Sequence, residues 1–111
     1  MIINRMKILM ITNDTNFAWN LRREILEAFI ARGYSVYLAS EIMDFRREFK
    51  ELGVRLIDVR NDRRGTNPIN DARLLLRYFR IIKALKPDMV FTNNIKPNVY
   101  AGLASICFDF G

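Results

Sequence analysis

The chain has 111 residues, half of them hydrophobic, and a formal charge of +6 from 18 basic and 12 acidic side chains. That length bounds the domain count at one, and no apolar run approaches the roughly 20 residues of a membrane-spanning helix. There is no histidine, which removes the usual general base and the commonest zinc ligand, and the single cysteine, Cys107, excludes an internal disulfide and fits a reducing cytoplasm.

The first six residues are too short and too polar a stretch for a secretory signal. Residues 7–12 (Lys7-Ile8-Leu9-Met10-Ile11-Thr12) form a short apolar run, the pattern of a buried parallel strand. Residues 17–32 are predicted as a helix with Phe17, Leu21, Ile25, Ala28, Phe29 and Ala31 as its apolar stripe and Gly33 as its stop. A second strand covers 34–39. A short helix covers 44–52, with Phe45, Phe49 and Leu52 on one side and Gly53 at its end. A third strand covers 54–59. Residues 60–67 are a polar, arginine-containing loop.

A long helix runs from Pro68 to about Leu85, where Pro87 disfavours helical geometry in Lys86. Residues 89–92 form a fourth strand, 93–96 a loop, and Pro97 opens a helix to about Phe108, with Cys107 as a small apolar residue on its buried face. Strand and helix thus alternate four times. The expected fold is α/β, an open and mainly parallel sheet with helices on both faces and strand order 3-2-1-4. Ligands of such sheets bind outside the carboxyl ends of the strands, where the order reverses. That places the loops at 13–17 and 92–97 beside the site.

The loop after the first strand lacks G-x-G-x-x-G, and the chain has no G-x-x-x-x-G-K-[ST]. A dinucleotide-dependent dehydrogenase and a P-loop nucleotidase are therefore disfavoured, because each needs glycines where the backbone approaches phosphate. Asn13, Asp14 and Thr15 suit a turn and helix cap. Two helix starts, at Pro68 and Pro97, each have a cation close by: Arg63 and Arg64 before the first, Lys96 before the second. Proline at the first helical position, free N–H groups and the helix dipole make such starts suited to anions. Asn67 and Asp71 are explained as cap and first-turn residues; Arg63 and Arg64 are not. The long helix carries Arg73, Arg77, Arg80 and Lys83 on one broad side. That pattern fits a solvated outer face, and it also fits a helix lying on anionic lipid headgroups.

Three segments carry a resemblance. Phe17-Ala18-Trp19-Asn20-Leu21-Arg22, Arg63-Arg64-Gly65-Thr66-Asn67-Pro68 and Thr92-Asn93-Asn94-Ile95-Lys96-Pro97-Asn98-Val99-Tyr100-Ala101-Gly102 are similar to segments of the N-terminal domain of family 4 glycosyltransferases. The resemblance is to the branch that builds capsule, O-antigen and other lipid-linked glycans. It implies a Rossmann-like half of a GT-B enzyme, so that residues 1–111 are a single, incomplete, acceptor-side domain. It also implies transfer of a hexosyl or N-acetylhexosaminyl group from a nucleotide sugar to a lipid-linked glycan, on the inner face of the membrane. The donor would be held by a C-terminal domain, with neither metal nor cofactor in this part.

By the same resemblance Arg22 contacts an acceptor phosphate. At the expected switch point, ahead of a helix start, the amides of Asn93 and Asn94 can hydrogen-bond sugar hydroxyls and Lys96 can meet a phosphate. Arg63 and Arg64 are secondary candidates for an anion or the membrane. Relatives place a histidine where this chain has Asn93 and Asn94. They also continue the sheet past strand 4, which implies that strand 4 is an edge prone to self-association here. The rival reading is a small basic nucleic-acid-binding module. Against it, the aromatics occupy core-like positions rather than alternating with cations, and no nucleic-acid-binding signature is present.

Overall fold

The computed structural model describes residues 6–60 and 68–93. In chain order the elements are β1 (Lys7–Asp14), α1 (Thr15–Ala31), β2 (Ser35–Glu41), α2 (Arg46–Leu52), β3 (Arg55–Asp58), α3 (Pro68–Leu85) and β4 (Met89–Thr92). The strands form one parallel sheet in the order β3-β2-β1-β4. This is the expected architecture and strand order. Loop residues 61–67 and the helix expected from Pro97 lie outside the described residues.

β1 is the central strand because Ile8, Leu9, Met10 and Ile11 are apolar toward both faces, and all four are buried. Alternate side chains divide between two cores. Leu9, Ile11, Ala39, Val59 and Val90 pack with Tyr78 and the inner face of α3. Met10, Val36, Leu38 and Val54 pack on the other side with Ala18 and Leu26 of α1 and Phe49 of α2. Fully burying a leucine such as Leu26 stabilises by about 1.5–3 kcal/mol. The sheet is therefore covered on both faces, as a parallel sheet requires.

Glycine closes both α1 and α2. Gly33, at φ 84°, follows α1, and Gly53, at φ 96°, follows α2. After each, the next residue's N–H reaches back to the helix: Tyr34 N–H to the Phe29 carbonyl at 3.1 Å and Val54 N–H to the Phe49 carbonyl at 3.0 Å. These bonds satisfy carbonyls that the helix end would leave unpaired. The Phe29 and Tyr34 rings, 6.1 Å apart, supply the apolar contact that accompanies the motif. At the amino edge of the sheet, Lys7 N–H donates to the Asp88 carboxylate at 2.8 Å and Asp88 N–H to the Lys7 carbonyl at 2.8 Å, fixing the start of β4 against β1.

Several sequence expectations need correction. α1 begins at Thr15 rather than 17, because Asp14 caps it with a carboxylate that accepts from Phe17 N–H at 2.8 Å. Its buried side matches the predicted stripe only in part: Phe29 packs in the core. Leu21 and Ile25 are 59% and 42% exposed and Ala28 is exposed, whereas Ala18 and Leu26 are fully buried. Two sets of apolar residues lie at helical spacing on α1, and contact with the sheet selects the set that includes Ala18 and Leu26. α2 begins at Arg46 rather than 44, because Phe45 has a left-handed backbone at φ 71°. β2 and β3 differ from their predicted spans by one or two residues.

Candidate functional site

The carboxyl ends of β1 and β4 lie side by side at the reversal of strand order. The Ile11 carbonyl accepts from Asn93 N–H at 2.8 Å, which carries the β1–β4 ladder one residue past β4. Toward β2 the register of β1 shifts between Ile11 and Asp14. There a side-chain pair spans the strands: the Thr12 and Ser40 hydroxyls are 2.9 Å apart, and Thr12 Oγ1 also donates to the Asp14 carbonyl at 3.1 Å. Both hydroxyls are buried, so these bonds satisfy groups that the broken ladder exposes.

The start of α1 is tied to the segment after β2. Thr15 Oγ1 donates to the Asp44 carbonyl at 2.7 Å and accepts from Met43 N–H at 2.8 Å. Asn16 Nδ2 donates to the Asp44 carboxylate at 3.2 Å, and Asp44 N–H donates back to Asn16 Oδ1 at 3.0 Å. Next along the chain, Phe45 stacks on Trp19 with ring centroids 5.2 Å apart and an interplanar angle of 11°. Trp19 also meets Phe49 edge-on at 5.1 Å, so Trp19 is a packing residue between α1 and α2.

Arg22 projects from the sheet-facing side of α1, between Ala18 one turn before and Leu26 one turn after. Its Nε donates to Asn93 Oδ1 at 2.9 Å, across 71 residues of sequence. Nη1 donates to the Leu21 carbonyl at 2.9 Å, and the guanidinium carbon lies 5.6 Å from the centroid of the Phe17 ring. Arg22 and Asn93, both half-buried, thus meet at the carboxyl edge. Sequence reasoning chose both residues but did not pair them, and it missed Phe17, which it had assigned to the apolar stripe. The i−4 and i+4 spacing of Ala18 and Leu26 around Arg22 is the signal that placed this arginine inward.

The other candidates separate into two groups. Asn94, Lys96, Arg63 and Arg64 lie outside the described residues. Arg73, Arg77, Arg80 and Lys83 lie on the exposed side of α3, on the opposite face of the sheet from α1. Arg77 Nη2 donates to the Asp58 carbonyl at 2.8 Å and so covers the end of β3, while Leu76 and Ile69 are exposed among these cations. Among the described residues no cluster of His, Cys, Asp and Glu is arranged to hold a metal, and no helix is long and apolar enough to cross a membrane.

Comparison with solved structures gives the same fold in proteins of different names. A glycosyltransferase from Rickettsia africae ESF-5 superposes with a TM-score of 0.74 at 17% identity, covering 96% of this chain and 29% of that one. The C-terminal domain of a hydrogenase from Pyrococcus furiosus gives a TM-score of 0.63 at 15% identity, with 96% and 85% covered. A formyltetrahydrofolate deformylase from Burkholderia mallei ATCC 23344 gives 0.62 at 13% identity, with 96% and 37% covered. At such identities the likeness is one of fold, and folds of this kind host unrelated activities. The chain spans less than a third of the Rickettsia glycosyltransferase. No curated protein sequence matches. The family model described as glycosyl transferase 4-like matches residues 7–107, nearly the whole chain. The chain belongs to the glycosyl transferase 4-like family.

Proposed function

We propose that this chain is the acceptor-side, N-terminal part of a glycosyltransferase that moves a sugar from a nucleotide sugar to a lipid-linked glycan in cell-surface polysaccharide synthesis. The observation that carries the reading is the family match over residues 7–107, combined with the convergence of Arg22 and Asn93 at the carboxyl edge between β1 and β4. In the reaction the bond between the sugar and the nucleotide diphosphate breaks. A bond from the sugar to an acceptor hydroxyl oxygen forms, and the hydroxyl proton leaves. Arg22, Asn93, Asn94 and Lys96 are the residues proposed to meet the acceptor, with Lys96 and Arg22 toward phosphate. The transferred group is of the hexosyl or N-acetylhexosaminyl class. A C-terminal domain outside this chain holds the donor, and the enzyme works at the cytoplasmic face of a membrane in the capsule and O-antigen branch of the family.

The nucleic-acid-binding alternative gains no support from the placement of the aromatic side chains. Phe49 and Tyr78 are fully buried, and Trp19, Phe29, Phe45 and Phe91 pack in the α1 and α2 core. Bases need exposed rings for stacking.

The test is a transfer assay on a longer protein that carries the second α/β half, using lipid-diphosphate-linked glycans and a panel of nucleotide sugars. Lys96→Ala and Arg22→Ala are each expected to lower acceptor kcat/KM by roughly 10- to 150-fold, the effect of losing a charge-assisted hydrogen bond worth about 1.5–3 kcal/mol. Donor binding should change little. Acceptor kinetics within twofold of wild type in both variants would show these side chains to be structural.

A further inference from the structure

We infer that Phe17 and the Oδ1 of Asn93 position Arg22, and that the Arg22 guanidinium and Asn93 Nδ2 together present chiefly hydrogen-bond donors, suited to a diphosphate rather than to sugar hydroxyls. This rests on the acceptor-side reading above and changes the part that Asn93 plays in it.

The argument begins with the amide. A guanidinium has N–H donors and no acceptor. At 2.9 Å from Arg22 Nε, Asn93 therefore faces it with Oδ1, and its Nδ2 is turned the other way. The guanidinium is held at three points. Asn93 takes Nε, the Leu21 carbonyl takes Nη1, and the Phe17 ring lies within cation–π range. A side chain with this much rotational freedom normally loses much of it on binding a ligand. Anchors already made within the protein reduce that loss.

The remaining Nη hydrogens have no partner among the described residues, and Arg22 is half-exposed at the carboxyl edge. Asn93 Nδ2 and these Nη groups are donors, and Asn93 Oδ1 already accepts from Arg22 Nε. A sugar hydroxyl both donates and accepts, so a surface made chiefly of donors suits it less well. A diphosphate is rich in acceptor oxygens and charge, and matches the guanidinium. The backbone of Asn93 is itself fixed, because its N–H is bonded to the Ile11 carbonyl of the central strand. The cradle is thus seated on the most buried strand of the sheet.

The experiment uses the full 111-residue chain labelled with ¹⁵N-arginine. The Arg22 Nε–Hε resonance is assigned by its loss in Arg22→Lys. Geranyl diphosphate, uridine diphosphate, inorganic pyrophosphate and a neutral disaccharide are titrated separately. Geranyl diphosphate and pyrophosphate should shift the resonance saturably, the disaccharide should not, and uridine diphosphate should bind no more tightly than geranyl diphosphate. Asn93→Asp replaces the amide donor with a carboxylate that closes on Arg22, so the dissociation constant for pyrophosphate should rise at least tenfold. Phe17→Leu should raise it about threefold or more, while Phe17→Tyr, which keeps the ring, stays within twofold. Unchanged core methyl resonances of Leu26 and Val36 establish that the variants fold. Unaltered pyrophosphate binding in Asn93→Asp, no response of Arg22 to any diphosphate, or an equal response to the disaccharide makes the Arg22–Asn93 bond a tether between α1 and β4 and overturns the inference. Preference for uridine diphosphate overturns its assignment to the acceptor. Diphosphate binding with the predicted mutant pattern, alongside a longer protein that transfers no sugar, would instead count against the proposed function alone.

Discussion

Leu21 and Leu26 are the same residue type on one helix with opposite surroundings. Leu26 is fully buried against Met10, Val36 and Leu38, and Leu21 is 59% exposed. Leu26→Ala should cost about 2–5 kcal/mol, because the removed atoms leave a cavity in a packed core. Leu21→Ala should stay within about 0.5 kcal/mol, as surface substitutions do. Urea unfolding of the two variants measures both. Comparable losses would mean that α1 presents its other stripe to the sheet. The same attention to single residues explains Phe45. Its left-handed backbone, at φ 71°, is a conformation that a bulky residue rarely adopts, and stacking on Trp19 offsets the cost. Lys86, at φ 52°, is the other such non-glycine residue among those described, and it ends α3 where Pro87 forbids another turn.

At the scale of elements, α3 divides its two sides by polarity. Tyr78, Leu74, Leu75, Ile82 and Leu85 pack on the sheet, while Arg73, Arg77, Arg80 and Lys83 are exposed on the other side with Leu76 and Ile69. Cations joined by exposed Leu76 and Ile69 suit contact with an anionic lipid surface, whereas a solvated outer face needs only the cations. Sedimentation with phosphatidylglycerol vesicles distinguishes the two. Binding is expected, and it should weaken with salt, since charges are screened over about 10 Å at 0.1 M. Arg80→Glu with Lys83→Glu should abolish it, and both residues are free of the Asp58 contact that Arg77 makes. Equal pelleting with neutral vesicles would leave α3 as a solvated face.

For the whole molecule, the proposed acceptor site has one wall at the carboxyl edge of the covered sheet, where Asn93, just after β4, meets Arg22 of α1. A nucleotide sugar needs partners for its base, ribose, diphosphate and sugar together. The proposed assignment puts most of those in a different domain. Calorimetric titration of this chain with UDP- and GDP-sugars should therefore show no micromolar binding. Micromolar affinity for any of them would move the donor site into this half and reverse the assignment of sides.

What was legible in the sequence was local or followed from connectivity. The apolar run of β1, the glycine stops at Gly33 and Gly53, and the span of α3 up to the Lys86-Pro87 break are short-range patterns, and their alternation leads to a parallel sheet of order 3-2-1-4. The candidates Arg22 and Asn93 were also legible, through the similarity of their segments to a family. Their contact was not, because 71 residues separate them and only the sheet brings the end of β4 beside α1. The tertiary structure also decided which stripe of α1 is buried. Helical periodicity shows that apolar side chains share a face, but two such sets were present, and only the shape of the β1–β2–β4 surface beneath them selects between them. The Thr12–Ser40 bridge and the left-handed Phe45 have the same origin: each exists because another segment supplies its partner, Ser40 for one and Trp19 for the other.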